Sequence, residues 1–320
     1  MRHSLAELKE QQSKLVYLID EATRKEDDLQ AIELKKSLYK LKLEMLEILS
    51  ITQTRSGVSA RQLRQVVENR PKVPRYATGI TALDFKLFGG IEIGTFIQLA
   101  GESGVGKTHL QLEILSNIAN YSKAVFFNFE MGDTRIIKRL EKLMFNEQQW
   151  DNLIIDNDSR DIDTLCNEIT LYARDGIKFF TIDSKMKLDA KGELQDYQKF
   201  SMISKRLAEL AQKQEVIIFL INQMNEDDIK NKRLAFKGSG DQKYDADIAL
   251  FYIKDKDGNR KLICNKNRQD EVEFFINFHL EDGKTVADNI QTIYKNNEGR
   301  AISKPTVTEY IPDKVEATVI

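Results

Sequence analysis

Residues 101–108 read Gly101-Glu102-Ser103-Gly104-Val105-Gly106-Lys107-Thr108, between an apolar run at 95–100 and a helix-like stretch at 109–119. This G-x-x-x-x-G-K-[ST] string decides the fold. Its glycines let consecutive backbone N–H groups curl around phosphate oxygens at the start of a helix, where the helix dipole also favours negative charge. In that setting Lys107 reaches the β and γ phosphates, and the Thr108 hydroxyl is placed to hold Mg²⁺. All eight loop residues are therefore expected to bind a nucleoside triphosphate. A chance match is expected in roughly one chain in a hundred of this length, and the strand before and helix after make it rarer.

Outward from the loop, apolar runs at 96–100, 124–129, 179–182, 216–221, 248–253 and 261–264 alternate, over the first four, with segments of helical periodicity. That rhythm predicts an α/β phosphate-loop NTPase with a mostly parallel, helix-covered central sheet. Upstream, Leu5, Leu8, Leu15, Ile19 and Ala22 form one apolar stripe and Ala31, Leu34, Leu38, Leu41, Met45 and Ile48 another, with Ser4 and Glu7 as a capping box. Residues 1–54 are expected to be an antiparallel helical hairpin that self-associates or docks a partner protein. Residues 55–75 carry Arg55, Arg61, Arg64, Arg70, Lys72 and Arg75 against the single acid Glu68 and close on Pro71 and Pro74. They read as a short basic helix and linker, either a solvated connector or a phosphate contact. The polar stretch 281–320 reads as a tail, poorly ordered or used by a partner.

The 320 residues, 41% hydrophobic and 31% charged, are ordinary for a soluble globular chain. No run is apolar and long enough to span a membrane and the amino terminus lacks a signal core, so a cytoplasmic location is expected. A net charge of −2 gives no global attraction to nucleic acid, so any such binding must come from local basic clusters. Cys166 and Cys264 read as buried small hydrophobes, and three histidines without ligand spacing leave Mg²⁺, brought with nucleotide, as the one expected metal.

Hydrolysis needs a carboxylate that activates water and an acid that holds the metal's water shell. Glu130 ends the apolar strand 126–130, and Asp183 ends the strand 178–183. The string Asn265-Lys266-Asn267-Arg268 begins like a guanine-reading N-K-x-D box but has Arg where the aspartate must bind the base. ATP is the expected nucleotide.

The ordered set Thr78-Gly79-Ile80-Thr81-Ala82-Leu83-Asp84, the phosphate loop, Phe127-Asn128-Phe129-Glu130-Met131, the Asp183 strand, Leu220-Ile221-Asn222-Gln223-Met224-Asn225, Asp245-Ala246-Asp247 and Lys266-Asn267-Arg268 resembles the RecA-type ATPase domain of DnaB-like replicative helicases, over about residues 76–280. The resemblance implies that Glu130 activates water, Asp183 and Thr108 serve Mg²⁺, and Gln223 senses the γ phosphate. Lys266 and Arg268 would reach into a neighbouring subunit's nucleotide as an arginine finger does. It further implies a homo-oligomer, a hexameric ring or a filament, moving on single-stranded DNA in replication. A replication or recombination protein would dock on the hairpin or tail. Lysine-rich loops at 185–191 and 230–237 fall where such rings track a strand, with Lys230, Lys232, Arg233 and Lys237 as backbone contacts and Phe236 as a base-stacking ring. Acids at Glu226-Asp227-Asp228 and Asp270-Glu271 stand beside these positions and oppose an anionic ligand. The competing expectation is a RecA- or KaiC-like regulatory or assembly ATPase that sets oligomer state without unwinding. A third is a nucleotide-binding scaffold in which Glu130 is only structural.

Overall fold

A computed structural model describes residues 5–25, 28–52, 59–68, 73–143, 145–190, 195–225, 228–229, 231, 233–237, 245–254, 257–270, 272–292, 294–295 and 301–302. The chain divides into two compact units, Met1–Pro71 and Lys72–Ile320.

In the first unit α1 (Leu5–Arg24) and α2 (Asp28–Thr52) pair along their length as the helical hairpin. Leu8, Ala22, Ala31 and Leu41, all on the expected stripes, are buried, whereas Val16, Tyr17, Leu29 and Ile32 on other faces are exposed. Burial of one stripe stabilises the pair far more than the exposed i,i+4 pairs Lys14–Glu10, Arg24–Asp20 and Lys25–Glu21, each worth about 0.3–0.5 kcal/mol. A short amphipathic helix, α3 (Ala60–Glu68), follows, with Arg64 paired to Glu68 at 2.7 Å. Among the described residues no helix is long and apolar enough to cross a membrane.

The second unit opens with β1 (Arg75–Tyr76), α4 (Thr81–Lys86) and β2 (Ile91–Glu92), β1 and β2 pairing antiparallel. Buried Asp84 of α4 accepts hydrogen bonds from Thr78 N and Oγ1 and Gly79 N at 2.7, 2.8 and 2.9 Å. Burial pushes its carboxyl up to about 6 in spite of those three bonds, which act to lower it. Gly79 is required there, because it has φ +78° and a Cβ would lie 2.1 Å from Asn117 Cγ.

β3 (Phe96–Gly101), α5 (Lys107–Ala119), β4 (Ala124–Asn128), α6 (Asp133–Lys142), α7 (Glu147–Asn152) and β5 (Leu153–Asp156) follow. Next come α8 (Ile162–Arg174), β6 (Phe179–Asp183), α9 (Asp196–Gln214) and β7 (Ile217–Ile221). The chain then turns to β8 (Ile248–Lys254), β9 (Arg260–Asn267), β10 (Phe274–Glu281) and β11 (Lys284–Thr292). A small pair, β12 (Tyr294–Lys295) with β13 (Ala301–Ile302), ends the described chain.

β3 to β11 make one nine-stranded sheet in the order β11-β10-β9-β8-β3-β7-β6-β4-β5. From β8 to β5 every pairing is parallel, and from β8 to β11 every pairing is antiparallel. β3, β4, β6 and β7 are fully buried, as parallel strands covered on both faces must be. One face carries a core with Leu110, Ile114, Ile118 and Leu140 of α5 and α6, and the other a core with Leu165, Ile169, Ile203 and Leu207 of α8 and α9. The α/β expectation with a mostly parallel sheet holds.

The expectation of a tail from residue 281 is corrected over 284–292, which form β11, registered from Glu281↔Lys284 to Phe274↔Thr292. The turn uses positive φ at Asp282 and Gly283, +49° and +79°. The strand escaped notice because it is an edge: only Ile290 is buried, so its polar face dominates the composition. Buried Glu113 of α5 anchors it by accepting from Thr285 N at 2.6 Å and from Thr285 Oγ1. Residues 303–320 of the expected tail lie outside the described residues.

Candidate nucleotide site

In a parallel sheet the chain leaves its strands at their carboxyl ends, and ligands gather there. A cleft of about 590 Å³ at those ends brings together Lys107, Thr108, Glu130, Asp183 and Gln223, contributed by the turns after β3, β4, β6 and β7. Residues far apart in sequence thus share one wall.

The loop after β3 takes φ +77° at Gly104 and +106° at Gly106, which caps α5, so the backbone N–H groups at the helix start face the cleft. Ser103, Gly104 and Gly106 line it. Gly101 and Val105 do not, being packed beneath: a Cβ on Gly101 would lie 2.2 Å from Tyr252 O, and Val105 is 3% exposed. The Lys107 ammonium donates to Gly101 O at 3.0 Å and Glu102 O at 2.8 Å. Burial lowers its pKa, against the pull of Asp183, Glu130 and Glu102. Arg260, which sequence reading missed, donates from Nε to Val105 O at 3.2 Å and braces the loop from β9.

Thr108 Oγ1 donates to Asp183 Oδ2 at 2.6 Å. Burial pushes the Asp183 carboxyl up to about 6, with the nearby Glu130 carboxylate adding, while the Thr108 bond and Lys107 oppose. Asp183 Oδ1 and Ser184 Oγ are buried without a hydrogen-bond partner. A hydroxyl and a carboxylate with an unsatisfied oxygen suit a hard divalent cation whose other ligands are water and phosphate, as Mg²⁺ prefers. Among the described residues no group of three His, Cys, Asp or Glu forms a metal cage.

Glu130 is exposed, two residues past β4. Its turn is built by Asn128, whose Nδ2 donates to Met131 O at 2.6 Å and Asn157 Oδ1 at 2.8 Å, while its Oδ1 accepts from Met131 N at 3.0 Å. Phe129 N donates to Asp183 O at 2.7 Å, so the two acids are tied through backbone. Gln223 belongs to a buried polar chain. Its N–H donates to Asn222 Oδ1 at 2.8 Å, Asn222 Nδ2 to Gln98 Oε1 at 3.4 Å, and Gln98 Nε2 to Ser204 Oγ at 3.5 Å. Lys185 Nζ donates to the same Ser204 Oγ at 2.8 Å. Lys185 was expected in a DNA-tracking loop and is instead fully buried, with burial pushing its ammonium down to about 7.

The second expected loop needs a similar correction. Phe236 is 3% exposed, packs with Ala100, Met224, Ala249 and Phe251, and has its ring centroid 4.9 Å from that of Phe251. A ring so enclosed has no face for a base. Met224 pairs with Phe236 and Lys237 N donates to Gln223 O at 2.7 Å, so the segment is a short return strand beside Gln223. Arg233 and Lys237 are exposed, whereas Lys230 and Lys232 fall outside the described residues. Phe236→Ala is accordingly expected to cost about 3–5 kcal/mol of stability, read as a lower Tm. An unchanged Tm with weakened DNA binding would restore the stacking role.

Lys266 and Arg268 are not brought to this cleft. β9 pairs with β8 so that Asn267 faces Ile248, while Ile248 faces Ile97 and Tyr252 faces Gly101. The pair therefore sits at the opposite end of the sheet, about 13 Å of strand from the loop. Arg268 is 54% exposed, with Nη1 3.7 Å from Asp247 Oδ1 and its N–H donating to Asp247 O at 2.9 Å.

Three cations that sequence reading missed do line the cleft: Arg135, Arg139 and Lys142 of α6. Their i, i+4, i+7 spacing, which puts them on one helical face, was the available signal.

A phosphate loop opening α5, two strand-terminal acids and a glutamine on adjacent strands define a RecA-type ATPase domain. Residues 76–144 match the family described as DnaB-like helicase C terminal domain, and the RecA-type ATPase domain of this chain belongs with that DnaB-like family. Among solved structures, a helicase ATPase domain matches with a TM-score of 0.59 at 21% identity, covering 71% of this chain and 95% of that one. A DnaB-like replicative helicase, described with its interactions with primase, matches with a TM-score of 0.59 at 19% identity over 87% of this chain and 76% of its own. A KaiC-like protein from Pyrococcus horikoshii matches with a TM-score of 0.53 at 18% identity, over 67% of this chain and 99% of its own. At these identities the likeness is one of fold. The DNA repair protein RadA of Aquifex aeolicus is 29% identical over 157 residues, 48% of this chain and 34% of that relative. RadA of Campylobacter jejuni is 32% identical over 112 residues, 34% of this chain and 25% of its own. The chain thus aligns with about a third or less of the length of these relatives.

Proposed function

We propose that this protein is an ATP-driven DNA translocase or helicase that works as a ring, a hexamer in the favoured reading, on single-stranded DNA during cytoplasmic DNA replication. The observation that carries the reading is the division of the site. Lys107, Thr108, Glu130, Asp183 and Gln223 converge on one cleft, while Lys266 and Arg268 lie at the far end of the same sheet. Cations so placed act on nucleotide only across a subunit boundary.

In the proposed cycle the loop N–H groups and Lys107 hold the β and γ phosphates, and Arg135 and Arg139 face the bound nucleotide from α6. Bound Mg²⁺, held through Thr108 and Asp183, neutralises phosphate charge. The Glu130 carboxylate accepts a proton from the water whose oxygen attacks the γ phosphorus, as the bond to the β-phosphate oxygen breaks and ADP leaves. Lys266 and Arg268 of the next copy meet the charge that develops on the equatorial oxygens. Gln223, joined by backbone to the segment ending at Lys237, links the γ phosphate to Arg233 and Lys237 as DNA-backbone contacts.

Steady-state ATP turnover of the assembled protein with and without single-stranded DNA tests the reading, and marked stimulation is expected. The burial of Phe236 favours a second reading, a regulatory or assembly ATPase without strand tracking. Unstimulated turnover by ATP-dependent oligomers would select it.

A further inference from the structure

The turn that carries Arg268 is held by a residue far away in sequence. Arg75 of β1 is only 19% exposed at its side chain, and its guanidinium donates to Leu87 O at 2.5 Å, Glu92 Oε1 at 2.5 Å and Asp270 Oδ1 at 3.1 Å. Asp270 stands 195 positions away and is itself 8% exposed, so this ion pair is shielded from water, unlike the surface pairs of the helical hairpin. The rest of the turn is tied to the same region. Asn267 Oδ1 accepts from Gln269 N at 3.0 Å and Asp270 N at 3.2 Å. Gln269 Nε2 donates to Gly90 O and to Asp270 Oδ2, both at 3.1 Å, and Gln269 Oε1 accepts from Glu92 N at 3.1 Å. Asp270, whose charge by sequence opposed an anionic ligand, is therefore engaged by Arg75.

We propose that Arg75 is a positioning residue for ATP hydrolysis. By bracing the 267–270 turn against β1 and β2 it sets the direction in which Arg268 leaves its subunit, and so how well that guanidinium meets the γ phosphate of the neighbouring copy. The proposal rests on the reading of Arg268 given above. Three acceptors lying in different directions call for a planar fork, which a lysine ammonium does not reproduce. Without the brace the exposed Arg268 side chain hangs from a looser turn, and a displacement of about 1 Å at a reacting group costs up to about a hundredfold in rate. The chain reaches Arg75 directly from the linker, and Pro74 O accepts from Ile93 N at 3.2 Å, so β1 is itself fastened to the body of the unit.

In full-length assembled protein at saturating Mg²⁺-ATP, Arg75→Ala is expected to lower kcat by on the order of ten- to a hundredfold, with the KM for ATP and the oligomer size unchanged. Arg75→Lys and Asp270→Asn should fall between it and the unaltered protein. Subunit mixing separates positioning from general damage. Mixed with Glu130→Gln subunits, Arg75→Ala subunits should regain turnover, because their own clefts are intact and borrow Arg268 from the other copy. Mixed with Arg268→Ala subunits they should regain none, because the two variants share one defect. If Arg75→Ala proves insoluble, Asp270→Asn, which keeps the side-chain shape, carries the same mixing test. No rescue by Glu130→Gln subunits, or unaltered kcat in Arg75→Ala while Arg268→Ala is inactive, overturns the proposal and leaves the role of Arg268 standing. Full activity in Arg268→Ala instead removes the reading beneath it.

Discussion

Arg268→Ala is expected to lower kcat for ATP in the assembled protein by about 10³- to 10⁵-fold, the range for losing an arginine finger, with nucleotide affinity and oligomer size retained. That loss equals roughly 4–7 kcal/mol of transition-state stabilisation at about 1.4 kcal/mol per decade. The folded state should hardly register the change. Arg268 is 54% exposed and its ion pair with Asp247 is 3.7 Å long, a geometry worth about 1 kcal/mol or less. A defect confined to kcat therefore separates an action across the subunit boundary from a structural one. Subunits carrying Arg268→Ala, mixed with subunits carrying Glu130→Gln, should recover part of the turnover, because some interfaces then pair an intact cleft with an intact finger. If mixed assemblies stay inactive, Arg268 does not act in trans.

Glu130→Gln should be the second large effect, a fall in kcat of about 10²- to 10⁴-fold with Mg²⁺-ATP still bound. The substitution preserves shape, and the turn that presents the side chain is built by Asn128 and the backbone of Phe129, not by the carboxylate. Folding and nucleotide affinity should survive, leaving an assembly that binds ATP and stalls. Single-turnover kinetics decide the matter: a chemical step as fast as in the unaltered protein would show that Glu130 is not the base. It would also revive the scaffold reading, in which that residue only finishes a strand.

The readable part of the site is the part written in short range. The phosphate loop needs only its own glycines and the helix that follows, and Glu130 and Asp183 declare themselves as acids ending apolar strands. Phe236 and Lys185 were misplaced for one shared reason. An aromatic ring or a lysine in a polar segment has the same appearance whether it faces water or folds inward, and here Phe236 packs on Phe251 while Lys185 meets Ser204 under α9. β11 was taken for a tail because an edge strand keeps only one buried residue, Ile290, to mark its inner face. Arg135, Arg139 and Lys142 were legible in principle from their spacing, yet nothing local said that their helix face borders the cleft.

What the sequence determined by itself is the class of chemistry and the sheet behind it, since backbone curvature at glycines, helix starts and the alternation of apolar runs are set by neighbours a few residues apart. Tertiary structure alone decided the division of the site. The antiparallel return of β9 carries Lys266 and Arg268 away from the cleft they are expected to serve, and the Arg75–Asp270 pair spans 195 positions. Strand order and pairing direction arise from which faces bury together across the whole sheet, and that sum of many weak contacts leaves no mark in any one stretch of residues.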